Sequence, residues 1–384
     1  MLKVVTVFGT RPEAIKMAPL VQELKKYPGE INCKVAVTAQ HREMMDQVLR
    51  LFDILPDYDL NVMQDRQSLY DITVRSLAGL EEVLQREKPD LVLVHGDTTT
   101  TFVGALAAYY EQIPVGHVEA GLRTYNRLSP FPEEMNRRLT DTLSELHFAP
   151  TIQAKQNLLR EGIPGENIYV TGNTVIDALL ETVKKDYSFS DPVLQSIDYK
   201  SRRVLLVTAH RRENLGEPLE NICLALKELV ENYPDVEVVF PVHKNPLVRQ
   251  VVEKILSGLE RVRLIEPLDY QPFANLIKNS YLVLSDSGGL QEESPALGKP
   301  VLVLRDTTER PEAVEAGTVR LIGSEQAKIV AAAKSLLEDR QEYEKMANVV
   351  NPYGDGNASR RIAHVIRMKF GLTNDPVEEY VTND

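Results

Sequence analysis

Short, continuous apolar runs recur along the whole chain, and a helical pattern follows most of them. In the first half these runs occupy residues 2–8, 34–38, 91–94, 113–118, 146–149 and 168–170. In the second half they occupy residues 204–208, 236–240, 262–265, 281–284 and 301–304. A strand covered on both faces is apolar throughout, and strands separated by helices of about ten residues form parallel βαβ units. The pattern therefore predicts an α/β fold with two doubly wound, Rossmann-like domains that face a cleft.

The length of the chain and the interruptions of this pattern predict where the domains begin and end. A chain of 384 residues exceeds the size over which one hydrophobic core usually grows. We expect an N-terminal domain over residues 1–172, joined by the C-terminal helix and tail at about 359–384, and a second domain over residues 173–358. The polar stretch between residues 184 and 203 is expected to cross between the domains, and the acidic tail after residue 372 to be frayed or disordered. Pro19 is expected to kink or divide the first helix.

The charge balance and the cysteine usage limit the possible partners. The formal net charge is -12, whereas a nucleic-acid-binding protein needs a basic face to displace counterions from phosphates. The amino terminus runs directly into the first strand without the pattern of a secretory signal, and no apolar run approaches the roughly 20 residues that span a bilayer. Cys33 and Cys223 lie in separate apolar stretches and are expected to be buried thiols rather than a disulfide or a metal pair. These features predict a cytoplasmic protein with no nucleic-acid, membrane or metal partner.

Three carboxylates stand where two predicted strands end and where a helix begins. Asp97 follows the strand at 91–94, Glu119 follows the strand at 113–118, and Glu133 lies in the first turn of a helix. Because ligands of open parallel sheets collect beyond the carboxyl ends of the strands, these acids are candidates for chemistry. Side chains alternate along a strand, so His117 and Glu119 are expected to project to the same side.

Each of these acids also has a structural explanation. Asp97 could cap the following helix, because Asp is a preferred N-cap residue. Glu133 and Glu134 could stabilise the start of a helix through the macrodipole and pair with Arg137 and Arg138 in the next turn. The concentration of the three acids beside consecutive strand and helix ends favours a functional role for the group.

The second informative stretch is a glycine turn between a predicted strand and a helix. Gly288 and Gly289 follow the strand at 281–284, so the backbone can approach a ligand closely and the helix amides can bind a diphosphate. Glu293 lies one turn into that helix, where it could accept hydrogen bonds from both hydroxyls of a ribose. The alternative is a tight turn eased by glycine, with Glu292 and Glu293 on a solvated helix face. The order of strand, turn and helix favours the binding site, and no Gly-x-Gly-x-x-Gly pattern follows a strand to bind a nicotinamide cofactor.

Positive charge gathers at the ends of several predicted strands despite the negative total. Arg11 and Lys16 follow the first strand, His210 follows the strand at 204–208, and Arg310 follows the strand at 301–304. Guanidinium and ammonium groups bind phosphate oxygens, so an anionic ligand would explain this placement. For any single residue, a solvated or salt-bridged surface position is the commoner explanation.

Six motifs, in order along the chain, resemble those of the non-hydrolysing bacterial UDP-N-acetylglucosamine 2-epimerases. They are the segments FGTRPE from residue 8, HGD from residue 95, HVEAGLR from residue 117, PEEMNR from residue 132, TAHRREN from residue 208 and SGGLQEE from residue 287. The resemblance covers nearly the whole chain. It implies the two-domain fold of the B-type glycosyltransferases, a homodimer, and the interconversion of UDP-N-acetylglucosamine with UDP-N-acetylmannosamine. The product of that reaction feeds bacterial surface polysaccharides.

The same resemblance implies roles for individual residues of this chain. It identifies Asp97, Glu119 and Glu133 as the acid/base carboxylates, and our hypothesis is that the first two act at C2 of the sugar while Glu133 assists. His210 is the fourth catalytic residue that it implies, near the diphosphate. It implies no metal and no other cofactor. The substrate-binding residues it implies are Arg11, Lys16 and Arg310 for the diphosphate, Ser287, Gly288 and Gly289 for phosphate, Glu293 for the ribose and Phe273 for uracil.

The chemistry that the resemblance implies explains the need for several carboxylates. The proton at C2 of the sugar has no neighbouring carbonyl to stabilise a carbanion, and an oxidised intermediate would need a nicotinamide. The remaining route is loss of UDP across C1 and C2 to give 2-acetamidoglucal, followed by re-addition with the proton delivered to the opposite face. Such a route needs acids and bases on both faces and stabilisation of the departing diphosphate.

The resemblance also implies a second, regulatory site for UDP-N-acetylglucosamine beside the catalytic one, because some family members are activated by this sugar nucleotide. It places Gln40 and Arg66 in that site. Glu43 stands where some regulated members carry glutamine, and its carboxylate would repel a second diphosphate-sugar. We therefore expect at most moderate activation by the substrate.

Three other functions are compatible with parts of this pattern. A hydrolysing epimerase would release free N-acetylmannosamine and UDP, a B-type glycosyltransferase would join the sugar to an acceptor, and a nucleotide-sugar sensor would bind without turnover. The residues above do not separate a hydrolysing epimerase from a reversible one on physical grounds. A glycosyltransferase should show an acceptor groove or a membrane-facing patch in the first domain, and the carboxylate trio argues against a silent sensor.

Overall fold

The computed structural model describes residues 1–39, 42–64 and 67–381. In it the chain forms two compact units, of which the first comprises Met1–Leu180 together with the chain from Tyr353 onward and the second comprises Glu181–Pro352. Both expected domain boundaries, after residue 172 and near residue 359, fall inside the first unit. Each unit is a parallel sheet with helices between its strands, so the predicted α/β fold class with two doubly wound domains is confirmed.

The first unit is built on a sheet whose described strand pairings are all parallel. Its strands are β1 (Leu2–Phe8), β2 (Ile31–Val37), β3 (Tyr58–Asp59), β4 (Leu91–His95), β5 (Val115–Val118), β6 (Leu146–Ala149) and β7 (Ile168–Val170). They pair in the order β3-β2-β1-β4-β5-β6-β7. The helices that connect them are α1 (Arg11–Lys25), α2 (Arg42–Leu51), α3 (Leu69–Glu87), α4 (Thr99–Tyr110), α5 (Glu133–Leu143), α6 (Ile152–Arg160) and α7 (Thr174–Thr182), with a short 3-10 helix at Gly165–Asn167.

The second unit repeats the arrangement with six strands. They are β8 (Arg203–Thr208), β9 (Val236–Pro241), β10 (Val262–Ile265), β11 (Leu282–Ser285), β12 (Val301–Val303) and β13 (Val319–Leu321), paired in parallel in the order β10-β9-β8-β11-β12-β13. Its helices are α8 (Pro192–Gln195), α9 (Glu217–Asn232), α10 (Pro246–Leu256), α11 (Tyr270–Asn279), α12 (Gly288–Ala296), α13 (Pro311–Ala316), α14 (Gln326–Glu338) and α15 (Arg340–Ala347), with a 3-10 helix at Arg212–Asn214. The chain then returns to the first unit as α16 (Ala358–Lys369).

The strand order reverses at one point in each sheet. β1 lies between β2 and β4, and β8 lies between β9 and β11, so the connections from these central strands diverge. Ligands of doubly wound sheets bind at such switch points, outside the carboxyl ends of the strands. The FGTRPE and HGD motifs follow β1 and β4, and the TAHRREN and SGGLQEE motifs follow β8 and β11. Four of the six motifs therefore lie at the two switch points.

The central strands of both sheets are buried because they are predominantly apolar. Every residue of β4 and every residue of β9 is buried, as the continuous apolar runs predicted. Burial of a large aliphatic side chain contributes roughly 1.5–3 kcal/mol. The strands therefore supply much of the free energy that holds the polar loops at their ends.

The helix α1 continues through Pro19 from Arg11 to Lys25, so this proline does not divide the helix as expected. A proline in a helix interior removes one backbone donor and ordinarily destabilises the helix by about 3 kcal/mol. The neighbouring side chains of Ala18 and Leu20 are inaccessible to solvent. Burial on both sides of the proline keeps the helix in register across the missing hydrogen bond.

Two short strands have no counterpart among the predicted ones. β3 has two residues and β13 has three, and each lies at an edge of its sheet. They include the charged residues Asp59 and Arg320. Such segments are too short and too polar to form the continuous apolar run by which buried strands are recognised.

The polar stretch between residues 184 and 203, expected to cross between the domains, packs within the second unit instead. Phe189 and Leu194 are buried. The ring of Phe189 stacks on that of Tyr199 at a centroid distance of 5.6 Å and meets Tyr187 edge-on at 5.1 Å. These few apolar side chains fix the segment even though its composition resembles that of a linker.

The tail also departs from its expected disorder, as far as residue 381. The Tyr380 amide donates to the Val170 carbonyl of β7 at 2.8 Å, and Tyr380 is buried. The Arg361 guanidinium lies 5.2 Å from the centre of the Tyr380 ring, and Lys155 forms an ion pair with Glu379 at 2.9 Å. A backbone hydrogen bond at the sheet edge and one aromatic anchor therefore order a segment of disordered-type composition.

The described residues contain no helix that combines the length and the apolar character needed to cross a membrane. Within the same residues, no group of three or more His, Cys, Asp or Glu side chains is arranged to hold a metal ion. Cys33 and Cys223 are free and buried, and burial raises the pKa of both thiols to about 12. Both thiols are therefore protonated and contribute to packing.

Candidate active site

Beside the first switch point, a turn follows each of the strands β4 and β5 at the edge of the sheet. Gly96 follows β4 with a φ of +71°, and Glu119 follows β5 with a φ of +64°. A left-handed conformation is uncommon for a residue other than glycine and costs of order 1 kcal/mol or more. Because β5 ends at Val118, the strand alternation does not extend to Glu119, and the shared side of His117 and Glu119 stays a prediction.

The Glu119 carboxylate is buried among donors. Asn173 donates to its Oε2 at 2.7 Å, and the Lys16 ammonium forms an ion pair with the same oxygen. The other oxygen, Oε1, lies 3.6 Å from the position of a Cβ placed on Gly96. The structure therefore brings Lys16 and Glu119 together at the ends of β1 and β5, beside the backbone that leads to Asp97.

His95, the last residue of β4, is a site residue that sequence reasoning missed. Its Nε2 lies 4.0 Å from Glu119 Oε2, and neither ring nitrogen has a hydrogen-bond partner among the described residues. Burial lowers the pKa of His95 to about 3, although the Glu119 charge acts in the opposite direction. The ring is therefore neutral and able both to donate and to accept one hydrogen bond. Its position just before Gly96 in the HGD motif was the available signal.

Asp97 is held by the helix that begins at Glu133. Its Oδ2 accepts hydrogen bonds from Arg137 Nε at 3.0 Å and Nη2 at 2.7 Å, and its backbone carbonyl accepts one from Asn136 at 2.9 Å. Thr98 rather than Asp97 caps α4, through a hydrogen bond from the Thr101 amide at 3.2 Å. The capping explanation for Asp97 is therefore wrong, and its carboxylate serves a charged partner at the sheet edge.

Glu133 and Glu134 open α5 but have different surroundings. Glu134 is buried and accepts hydrogen bonds from the backbone amides of Thr124 at 2.9 Å and Tyr125 at 3.0 Å, so it holds that loop. Glu133 Oε2 is buried without a hydrogen-bond partner among the described residues. A buried acceptor with no donor is costly, so this oxygen is poised for a group that the protein itself does not supply.

The Glu13 carboxylate of the FGTRPE motif has a structural role. One oxygen accepts hydrogen bonds from the Gly9 amide at 3.2 Å, the Thr10 amide at 2.8 Å and the Thr10 hydroxyl at 2.7 Å. The other accepts from the hydroxyls of Thr98 at 2.8 Å and Thr101 at 3.2 Å. Burial raises the pKa of Glu13, and these hydrogen bonds oppose that rise. One buried side chain thus joins the turn after β1 to the turn after β4.

At the second switch point, the buried carboxylate of Asp286 organises the loop that follows β8. Its Oδ2 accepts hydrogen bonds from the backbone amides of His210 and Arg211, both at 2.8 Å, and from Asn214 Nδ2 at 3.0 Å. Sequence reasoning did not identify Asp286 as a site residue. Its position directly after β11 was the signal that it could reach across to β8.

His210 lies at the surface of this loop, with its side chain partly exposed. Its Nδ1 is 3.4 Å from Asp286 Oδ1, and its ring stacks on that of His243 at a centroid distance of 5.4 Å. Burial lowers the pKa of His210, the Asp286 charge opposes this, and His243 and Arg211 lower it further. With a pKa below the ordinary value of 6.5, the imidazole is neutral at pH 7.

The glycine turn lies between two guanidinium groups and a carboxylate. A Cβ placed on Gly288 would lie 3.8 Å from Arg211 Nη2 and 4.0 Å from Arg310 Nη2. A Cβ placed on Gly289 would lie 3.5 Å from Glu293 Oε2. Ser287 is the N-cap residue of α12, so the first helix amides and two arginines converge on one small patch. Such an arrangement is suited to a diphosphate.

The contacts of Glu292 bear on the alternative that Glu292 and Glu293 lie on a solvated helix face. Glu292 is buried and forms an ion pair with Arg310, so it does not lie on a solvated helix face. Tyr270, at the start of α11, lies beside Glu293, and burial together with that carboxylate raises the pKa of its phenol. Phe273 follows one turn later on α11 and is half-buried.

The remaining predicted residues are Arg11 and the three residues of the expected regulatory site. Arg11 is the first residue of α1, directly after the loop that leaves β1. Gln40 and Arg66, expected to form a regulatory site, lie outside the described residues, as does the side chain of Glu43.

The chain is similar in sequence to proteins described as UDP-N-acetylglucosamine 2-epimerases. A family model described as UDP-N-acetylglucosamine 2-epimerase matches residues 22–367. A Bacillus subtilis protein named UDP-N-acetylglucosamine 2-epimerase is 58% identical over 379 residues, which cover 99% of this chain and 98% of the relative.

Solved structures with the same architecture include two with bound nucleotides. UDP-GlcNAc 2-epimerase from Neisseria meningitidis, bound to UDP-GlcNAc, has a TM-score of 0.84 and 56% identity, covering 95% of this chain and 99% of its own. The enzyme from Methanocaldococcus jannaschii, in complex with UDP-GlcNAc and UDP, has a TM-score of 0.75 and 37% identity, covering 95% of this chain and 99% of its own.

The Glu13 network generates a stability prediction. In Glu13→Gln, an amide donor replaces one acceptor oxygen among five converging donors, so the free energy of unfolding should fall by about 1–3 kcal/mol. Urea unfolding followed by circular dichroism measures this. The matched control is Asp71→Asn, because Asp71 makes the same capping box with Ser68 at the exposed start of α3. Equal losses of unfolding free energy in the two variants would contradict a stabilising role for the buried hydrogen bonds to Glu13.

Proposed function

This chain belongs to the UDP-N-acetylglucosamine 2-epimerase family, and we propose that it converts UDP-N-acetylglucosamine to UDP-N-acetylmannosamine and back by inverting C2. The observation that carries the proposal is the convergence of Asp97, Glu119 and Glu133 on one region of the first unit. Asp97 is bound through Asn136 and Arg137 of the helix that Glu133 begins, and Glu119 adjoins Gly96. Three carboxylates in one region provide the acids and bases that inversion without a redox cofactor needs.

We infer that the reaction proceeds by elimination and re-addition. A base removes the C2 proton while the bond from C1 to the diphosphate oxygen breaks, which gives 2-acetamidoglucal and UDP. The diphosphate oxygen then adds back to C1 while an acid delivers a proton to the opposite face of C2. Charge develops on the diphosphate as it leaves, and preorganised cations and amides stabilise that charge.

In the first unit, we propose that Glu119 and Asp97 exchange protons with C2 and that Glu133 assists. Each of these two carboxylates is fixed by a cation, Glu119 by Lys16 and Asp97 by Arg137, which supports a defined position for proton exchange. The unpartnered oxygen of Glu133 supports contact with a substrate group. Lys16 and Arg11, at the start of α1, are proposed to attract the diphosphate.

In the second unit, we propose that the glycine turn binds the nucleotide. The amides at Ser287, Gly288 and Gly289, with Arg310, would hold the diphosphate, and the approach of two guanidinium groups to Gly288 supports this. Glu293 would bind the ribose hydroxyls. Phe273 is proposed to pack against uracil and His210 to lie beside the diphosphate, as the family resemblance implies.

The N-terminal unit also supports a dimer. On α3, Tyr70 is 85% exposed and Val74 is 65% exposed, and residues four apart lie on one face of a helix. We propose that this apolar face packs against a second copy of the chain, in line with the homodimer that the resemblance implies.

By the same resemblance, we propose that the enzyme works in the cytoplasm and supplies surface polysaccharide synthesis. The lack of a membrane-crossing helix among the described residues is compatible with this. Loss of mannosamine from the cell surface after deletion of the gene is the expected result, and an unchanged surface would contradict the role.

Proton NMR of the protein with UDP-N-acetylglucosamine in deuterated water tests the reaction. The second epimer should appear with deuterium at C2 and without free UDP in proportion to turnover. Asp97→Asn, Glu119→Gln and Glu133→Gln should each lower kcat by roughly 10²–10⁴-fold, the usual contribution of a general acid or base. Glu145→Gln, at an exposed position, is the control. Free UDP rising with turnover would indicate hydrolysis, and full C2 exchange in all three variants would remove these acids from proton transfer.

Binding of UDP-N-acetylglucosamine should be accompanied by proton uptake at His210. The pKa of His210 lies below its ordinary value, so the ring is neutral at pH 7, and a nearby diphosphate would raise that pKa and favour the protonated form. Calorimetry at pH 6.5 in buffers of different ionisation enthalpy measures the uptake. His210→Asn, tested in the same buffers, removes the contribution of this residue. Identical proton linkage in both proteins would place the diphosphate away from His210.

The proposed dimer face is tested by sedimentation. Val74→Glu buries a charge in the expected interface and should shift the protein from dimer to monomer. Leu247→Glu is the matched control, because Leu247 is 58% exposed but lies on α10 of the second unit. A wild-type protein that sediments as a monomer, or a Val74→Glu variant that remains dimeric, would exclude this face.

A further inference from the structure

A buried histidine and a buried aspartate contact each other on two of the elements that carry the three carboxylates. His117 on β5 is inaccessible to solvent, and Asp141 on α5 is 1% exposed. His117 Nδ1 lies 2.6 Å from Asp141 Oδ1. Neither residue is among those that the proposed reaction uses, and a buried titratable pair away from the chemistry requires a reason, because its desolvation is costly.

The second ring nitrogen of His117 binds the backbone of the turn after β4. Nε2 lies 2.7 Å from the carbonyl oxygen of Gly96. A carbonyl oxygen only accepts hydrogen bonds, so Nε2 is the donor to Gly96. Burial by itself raises the pKa of Asp141, but the interactions with His117 and Arg123 outweigh it and hold that pKa below its ordinary value. Asp141 is therefore a carboxylate, and the His117 ring is held between it and the Gly96 carbonyl.

The remaining oxygen of Asp141 is also bound. Arg123 Nη2 donates to Asp141 Oδ2 at 2.6 Å, and the same guanidinium binds Glu161 through Nη2 at 2.7 Å and Nε at 2.9 Å. Glu161 also pairs with Arg138 at 3.6 Å. Both oxygens of Asp141 are thus bound within the protein, which leaves no open position for a ligand there and indicates a structural purpose.

We propose that His117 and Asp141 are positioning residues that set the mutual placement of the three carboxylates. His117 lies two residues before Glu119, Gly96 directly precedes Asp97, and Asp141 lies on the helix that Glu133 begins. One imidazole ring therefore joins the three elements that carry the three acids. This inference rests on the proposed function, because it assigns the pair a role in that reaction.

The placement matters because proton transfer is sensitive to distance. A displacement of about 1 Å in a catalytic group can lower a rate by roughly 100-fold. Glu119 leaves its strand in a left-handed conformation, and the ladder between β4 and β5 ends with the bond from the Gly96 amide to the Val118 carbonyl at 2.9 Å. The bond from His117 to Gly96 is the side-chain link between the end of β4 and the strand that leads to Glu119.

Two substitutions at His117 distinguish its contact with Gly96 from its contact with Asp141. The side-chain amide of His117→Gln reaches the position of Nε2 and can still donate to Gly96, whereas that of His117→Asn reaches the position of Nδ1 and can donate only toward Asp141. Loss of such supporting contacts typically lowers activity by about 10–100-fold. We expect His117→Asn to lower kcat by that factor with KM and the Kd for UDP unchanged, and His117→Gln to lose clearly less. Equal losses of kcat in the two variants would overturn the proposal.

Substitutions at Asp141 separate orientation from charge. In Asp141→Asn the amide can donate to Nδ1 of a neutral ring and accept from Arg123, so Nε2 still donates to Gly96. In Asp141→Leu the ring loses this orientation. The loss of kcat should be about tenfold or more greater in Asp141→Leu than in Asp141→Asn. Similar losses in both would contradict an orienting role.

One measurement needs no substitution, so it stands even where a buried variant fails to fold. In the wild-type protein labelled with ¹⁵N-histidine, Nε2 of His117 should have the chemical shift of a protonated nitrogen, because it donates to the Gly96 carbonyl. An unprotonated Nε2 would overturn the proposed link. Failure of the proposed function is recognised separately, because the wild-type protein would then form no second epimer at all.

Discussion

A carboxylate at the end of a buried parallel strand has lost much of its water, so it remains ionised only where donors replace that solvation. This requirement organises the first unit. Lys16 and Asn173 meet Glu119, and Arg137 meets Asp97. The donors come from α1, from the chain after β7 and from α5. Their ion pairs and hydrogen bonds to the acids hold these three elements at the same edge of the sheet. The site and the packing around it are consequences of one electrostatic need.

The same need separates acids that build the structure from acids that remain for chemistry. Glu13 accepts hydrogen bonds with both oxygens, and Asp286 accepts them with Oδ2, from groups that close turns beside the switch points. Glu133 keeps one buried oxygen without a partner among the described residues. Glu13 therefore has little capacity left to bind a substrate, whereas the open oxygen of Glu133 can accept a further hydrogen bond. The hydrogen bonds that the protein itself supplies distinguish these two acids.

Sequence reasoning succeeded where a pattern is local and failed where a partner is distant. The buried strands and the acids at their ends follow from apolar runs and from what stands next to them in the chain. The disorder of the tail was misjudged as far as residue 381, because the bond from Tyr380 to the edge strand β7 holds it. The alternative of a solvated helix face for Glu292 was removed by its ion pair with Arg310. Asp286 was overlooked because its partners follow β8, far away along the chain.

By itself, the order of apolar runs and polar ends in the sequence determined a doubly wound α/β chain and the positions at which its loops could carry chemistry. Six motifs in that order also determined the family. Only the tertiary structure decided which charges meet. Lys16 and Glu119 are 103 residues apart and His210 and Asp286 are 76 apart, and they become neighbours because the strands that precede them pair in a particular order. Coulomb and hydrogen-bond energies depend on distance in space, and distance along the chain does not contain that information.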